Sequence, residues 1–369
     1  MTGIYMKDPY LPVDMSLLPS WWNGNYGLTF ERDFYYEPKR RVSQEQQMRH
    51  LLYERFGDLG IGQKNAPRRP IVGPQLVGGC YLTQEILGCE IVYNEKAPPW
   101  VEPRNLSEKE AWALQVPEDF DNNPAMRNVL NLLDALEDEF GYLQGDVPLH
   151  GIANIAIDLR GHEYFIDLVE RQDLADHMHT VISKTIYEQA KRLKARTGSC
   201  SMCINRVISH FSPSTFMSPN CSLQMISPKM YEKQILKHDM WLTERLQPAG
   251  FHHCGNNAHL FAPLYAHTGA TFLDIGYGSD IASCRKALPE AWLSLRMDPR
   301  KMQWGTPEET EVEVKKLLDA HGSPWNKVAV WCSSLDYGTP DESIRAMFKT
   351  VAEYRGNRYS DLSRAYMIS

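Results

Sequence analysis

Three residues stand out as possible metal ligands: His252, Cys254 and Cys332. The segment His252-His253-Cys254 contains His-x-Cys, and residues i and i+2 of a strand point the same way. Cys332 closes a second apolar run, KVAVWC at 327–332. One imidazole and two thiolates form a good zinc set at about 2.0–2.3 Å, and three protein ligands leave a fourth position for substrate or water. On spacing alone, the same residues also read as a buried strand end with a satisfied histidine and an inert cysteine. Cys254-Gly255-Asn256-Asn257 reads as a tight turn leaving a strand, which favours a Cys254 facing the strand's open end. His253 should point the opposite way, into the surrounding packing.

Such ligands need elements to hold them. Ser107 to Glu110 opens a helix with a capping box, and an amphipathic helix is expected over 172–196. Ser227-Pro228, Thr306-Pro307 and Thr339-Pro340 read as helix starts with proline at the first helical position, and Glu309 and Glu342 extend the last two into capping boxes. Between these lie apolar runs expected as buried strands, at 199–208, 250–254, 270–275, 291–297 and 327–332. Strand-then-helix alternation with runs buried on both faces indicates parallel α/β architecture. Its repetition favours a closed (β/α)8 TIM barrel, in which chemistry collects at the C-terminal strand ends. His252, Cys254, Asp274 and Cys332 all fall at such ends. The expected division is an aromatic-rich N-terminal extension over 1–70, packed on or over a single barrel domain at 71–369.

Composition narrows the function classes. With 369 residues, 43% hydrophobic and 23% charged, the chain can bury a core without disulfides. A net charge of −7 argues against nucleic-acid or anionic-membrane surfaces. No segment approaches the ~20 apolar residues of a membrane span, and the first residues lack a signal-peptide pattern. Eight cysteines without regular spacing suggest reduced thiols and a cytoplasmic location.

The stretch from about 199 to 355 resembles the uroporphyrinogen decarboxylase superfamily, and within it the zinc methyltransferases that serve corrinoid proteins. The residues carrying this are Met225-Ile226-Ser227-Pro228, Gly250 through Asn256, Arg296-Met297-Asp298-Pro299, Gly305 through Glu309, and Cys332 through Pro340. Segments 87–104 and 140–196 resemble the first half of the family. The resemblance implies a (β/α)8 barrel and zinc on His252, Cys254 and Cys332. It also implies methyl transfer between a corrinoid and a small substrate, either a thiol or a methylated ether or amine. The histidine that decarboxylases place before their Gly-Thr-Pro turn is replaced by Cys332-Ser333-Ser334, and their arginine-rich N-terminal loop is missing. An acidic residue often found before the Ile-Ser-Pro turn is Asn220 here.

Asp274 and Asn220 are therefore the candidate catalytic groups, Asp274 as a weak fourth ligand or substrate contact. Trp21, Trp22, Tyr277 and Asn256 are the candidate substrate contacts. Cys221, beside Asn220 in a loop expected to face the mouth, is a further substrate-contact candidate or a buried small residue. Cys200 and Cys203 are expected to be structural, and His177 and His179 to lie on a helix surface. The corrinoid must come from a separate carrier protein: Asp319-Ala320-His321-Gly322-Ser323-Pro324 begins like the Asp-x-His-x-x-Gly motif of corrinoid carriers but ends in proline. Homodimerisation is left open. The rival readings are a porphyrinogen-type decarboxylase and a barrel whose zinc is purely structural.

Overall fold

The computed structural model describes residues 5–6, 11–73, 81–200 and 205–356. Eight strands matter for the site: β1 (Val13–Leu17), β2 (Ile71–Val72), β3 (Gln144–Gly145), β4 (Phe216–Pro219), β5 (Ala249–His253), β6 (Phe272–Ile275), β7 (Trp292–Arg296) and β8 (Val328–Leu335). Six form one sheet in the order β1-β8-β7-β6-β5-β4, and β2 pairs with β3. Every one of these pairings is parallel. Helices alternate with the strands along the chain, so the fold is the α/β barrel expected. Strands β5, β6 and β7 are buried along their whole length, as parallel strands covered on both faces must be.

The expected strands at 250–254, 270–275, 291–297 and 327–332 are all present, within a few residues. The run at 199–208 is not a strand where it is described: Arg206–His210 is a short 3-10 helix, while 201–204, with Cys203, lie outside the described residues. Its place in the sheet is taken by β4, which starts at Phe216, eight positions after the run ends.

The first 70 residues differ from the expected extension in one respect. Val13–Leu17 is a full member of the sheet, pairing with the last strand at Val330, Trp331, Cys332 and Leu335. Its five residues are all buried. Val13, Met15 and Leu17 join the main apolar core, while Asp14 and Ser16 alternate with them on the other face, where Arg206 Nη2 lies 3.3 Å from Asp14 Oδ1. Helix Pro38–Phe56, capped by Glu37, then packs alongside. Trp21, Trp22, Phe30, Phe34 and Phe56 are buried in the same core as the barrel strands.

Capping follows the sequence at Ser107 and Thr306, where both halves of the capping box form, and at Ser227, whose hydroxyl accepts from Met230 N. At the last helix, Asp341–Arg355, Pro340 rather than Thr339 is the N-cap, and no side chain caps it. Among the described residues no helix is long and apolar enough to cross a membrane.

Candidate metal centre

Parity along the strands decides what meets at the mouth. His252 is paired with Asp274, and Arg296 with Trp331, in the parallel ladders. Neighbours in register share a face. His252, Asp274, Arg296 and Trp331 therefore all point into the barrel, and their contacts agree. His252 Nδ1 is hydrogen bonded to Asp274 Oδ2, Trp331 Nε1 donates to Asp274 Oδ1 at 2.7 Å, and Arg296 Nη1 lies 3.4 Å from His252 Nε2. His253, one residue on, turns into the helix layer as expected. Its Nδ1 meets Tyr265 Oη at 2.8 Å and its Nε2 meets Asn257 Oδ1 at 2.9 Å. Burial lowers its pKa to about 4, which keeps it neutral.

Beyond the strand end, Cys254 Sγ lies 3.1 Å from His252 Nε2 and 3.5 Å from Arg296 Nη1. The third member comes from another loop. The ligand atoms of Cys221, His252 and Cys254 all lie within 4.8 Å of one another, a group able to hold a metal ion. Cys221 starts a 3-10 turn directly after β4, and the Asn220 N–H donates to His252 O at 2.6 Å, extending the β4–β5 pairing to that point. Both thiols are partly exposed, whereas His252 is buried.

Cys332, expected as the third ligand, stands outside this cluster. Trp331 faces inward, so Cys332 faces outward. Its sulfur lies near the carbonyls of Met297 and Ser333, and burial pushes its thiol pKa up. A register shift between Cys332 and Leu335, with Ser334 at φ 60°, comes only after that residue. The sequence placed Cys221 in a loop expected to face the mouth, but not the strand Phe216–Pro219 that positions it. Arg296 was legible only as part of a matching segment.

The remaining candidates fall as follows. Asp274 has both oxygens engaged, one with His252 Nδ1 and the other with Trp331 Nε1. Asn220 turns its amide to Asp239, donating to Oδ2 at 3.1 Å, and so braces the loop that bears Cys221. Trp21 and Trp22 have no exposed surface and pack edge-to-face at 4.9 Å. Asn256 is exposed, and Tyr277 is partly exposed. The Tyr277 ring centroid lies 5.9 Å from the Arg296 guanidinium, while its hydroxyl accepts from Arg300 Nη2 at 2.9 Å. Contrary to expectation, His179 is wholly buried, between Tyr164 Oη and Gln234 O, because Met178 and its neighbours sink that face of the helix into the core.

The electrostatics favour a metal or a trapped proton. Burial pushes His252 down, but Cys254 and Asp274 outweigh it and raise the imidazole to about 9. Hydrogen bonding with Cys221, and then His252 and Arg296, hold the Cys254 thiol far below its ordinary range. An imidazole offering Nε2 beside two thiols, with Nδ1 anchored on a carboxylate, fits zinc: the carboxylate fixes tautomer and orientation.

Comparison with known proteins identifies the family. The model of the uroporphyrinogen decarboxylase (URO-D) family matches residues 76–354. The chain belongs to that family. A solved structure, a methyltransferase from Methanosarcina mazei, superposes with a TM-score of 0.66 over 94% of each chain at 15% identity. Among curated proteins, the methylcobamide:CoM methyltransferase MtbA of Methanosarcina mazei is 26% identical over 144 residues. That match covers 38% of this chain and 41% of the relative's length. Strand β1 lies before the URO-D match begins, yet it pairs with β8, which lies within the match.

Proposed function

We propose that this URO-D family member is a zinc-dependent methyltransferase, moving a methyl group between a corrinoid on a separate carrier protein and a small substrate. The observation that carries the reading is the Cys221–His252–Cys254 cluster at the mouth, with His252 braced by Asp274. Similarity to a methylcobamide:CoM methyltransferase supports it.

Zinc held by these residues would supply either a lowered pKa for a bound thiol or Lewis acidity toward a methylated oxygen, nitrogen or sulfur. The chain's residues do the rest. His252 presents Nε2 while Asp274 keeps the proton on Nδ1. Trp331 holds the second carboxylate oxygen, so the pair cannot swing. Cys221 and Cys254 supply the thiolates. Zinc held by three protein donors would leave a position for the methyl donor or acceptor, with Tyr277 and Asn256 at the rim as its nearest proposed contacts. Two thiolates suit thiol exchange, while aromatic groups suit an ether or amine, so both substrate types belong in the test.

The test joins metal analysis to methyl transfer. The purified protein should carry about one zinc per chain. It should either demethylate methylcobalamin with a thiol or methylate cob(I)alamin from a methylated donor. A chain without zinc, whose function survives Cys254→Ser, sinks the proposal. Zinc whose removal unfolds the protein would mark a structural metal instead.

A further inference from the structure

A metal-bound thiolate is itself a nucleophile, and a centre that handles methyl groups puts its own ligands at risk. If Cys254 Sγ attacked the methyl carbon, an S–C bond would form. The bond to the leaving group would break with its electron pair, and the resulting thioether would be a poor ligand. This inference rests on the methyltransferase reading above. We propose that Arg296 protects the Cys254 sulfur from that reaction by holding a guanidinium N–H against it.

Three observations carry this. Arg296 Nη1 is 3.5 Å from Cys254 Sγ, within the range of a sulfur hydrogen bond, and 3.4 Å from His252 Nε2, the nitrogen that would turn to a bound metal and so leave the sulfur as its acceptor. The side chain is 6% exposed, yet among the described residues no carboxylate lies in ion-pair distance of it. The nearest interior carboxylate, Asp274, already has one oxygen on His252 and the other on Trp331. Arg296 Nε is buried without a partner. Leaving a buried N–H unpaired is costly, so packing alone gives no reason to keep an arginine here. A cation aimed at a thiolate does give one: a charge-assisted hydrogen bond occupies a sulfur lone pair and withdraws charge from it. Arginine suits the task because it stays protonated at any working pH and its planar head is held between the metal ligands and the Tyr277 ring.

The experiment uses zinc-loaded protein at fixed pH with limiting iodoacetamide, and follows the Cys254 peptide by mass spectrometry after zinc content is measured. Arg296→Gln should alkylate Cys254 about tenfold faster, the change expected for losing one hydrogen bond to a charged acceptor. Arg296→Lys, which keeps the charge, should remain closer to wild type. In the cobalt(II)-substituted protein, Arg296→Gln should also move the sulfur-to-metal charge-transfer band to lower energy. Unchanged alkylation in a zinc-replete Arg296→Gln protein overturns the protective role and leaves the functional reading standing. Loss of zinc in Arg296→Gln but not in Arg296→Lys also overturns it, making the arginine a support for metal binding. A wild-type chain that takes up no zinc overturns the methyltransferase reading on which the proposal rests.

Discussion

Asp274 and His252 are hydrogen bonded across adjacent strands, Oδ2 to Nδ1, and this one contact fixes which imidazole nitrogen faces the two thiols. The pairing follows from register: Cα partners on β5 and β6 put both side chains on the same face at the same height. Asp274→Asn should keep the fold but weaken zinc binding about 10–100-fold, the usual cost of removing such an outer partner. Competition with a chromophoric chelator measures it, and unchanged affinity would mean that His252 needs no orienting carboxylate.

Trp331 completes that arrangement from β8. Its indole N–H is the donor to Asp274 Oδ1 at 2.7 Å. Trp331→Phe removes the donor while keeping most of the ring, and leaves a buried carboxylate oxygen unpaired. A stability loss of about 1–3 kcal/mol is expected, read from urea denaturation of the zinc-loaded protein. A loss of zinc affinity smaller than that of Asp274→Asn should accompany it.

The cysteine series distinguishes Cys221 from Cys332. Cys221→Ser and Cys254→Ser should each lower zinc to well under one per chain. Cys332→Ser should retain it and cost the fold only about 1 kcal/mol, because the buried hydroxyl has the Met297 and Ser333 carbonyls beside it as acceptors. Full zinc in Cys221→Ser with none in Cys332→Ser would restore the ligand set inferred from sequence.

That contrast shows how much of the site could be read in advance. His252 and Cys254 were legible because their spacing and the following glycine turn place them on one face of one strand end. Asp274 was legible as a strand-end residue, but its role depends on a neighbour in register, which a linear pattern does not show. Cys332 looked equivalent to Cys254, yet it is separated from the interior by a single step of strand parity, set by Trp331. The barrel itself was visible in the alternation of its second half. β2 and β3 were not, because two-residue strands leave no periodic signal. β1 was hidden because Asp14 and Ser16 interrupt its apolar residues, although both are buried in the fold.

Acid stability should report on His179. Burial, reinforced by nearby His238, lowers its pKa from 6.5 to about 3. The unfolded chain therefore binds this proton more readily than the folded one, and stability falls as pH drops from about 6.5 toward 3. The contribution approaches about 1.4 kcal/mol per pH unit within that window. His179→Gln removes the titration, so denaturation midpoints measured across pH 4–6.5 should flatten relative to wild type. An unchanged slope would assign acid lability to other groups.

Trp21 and Trp22 should behave differently from Tyr277, although all three were candidates for substrate contact. The tryptophans are fully buried, and Arg55 covers the Trp21 ring at 4.9 Å. Truncating either to alanine opens a large cavity beside β1, with an expected cost of about 3–5 kcal/mol. Tyr277 is partly exposed and stands over Arg296, so Tyr277→Ala should cost little stability but raise KM for the methyl donor or acceptor. Denaturation midpoints and KM values measured on the three variants separate the two roles. A Trp21→Ala protein of wild-type stability with a raised KM would move the substrate site toward the N-terminal helices. Unchanged KM in Tyr277→Ala would remove the loop after β6 from it.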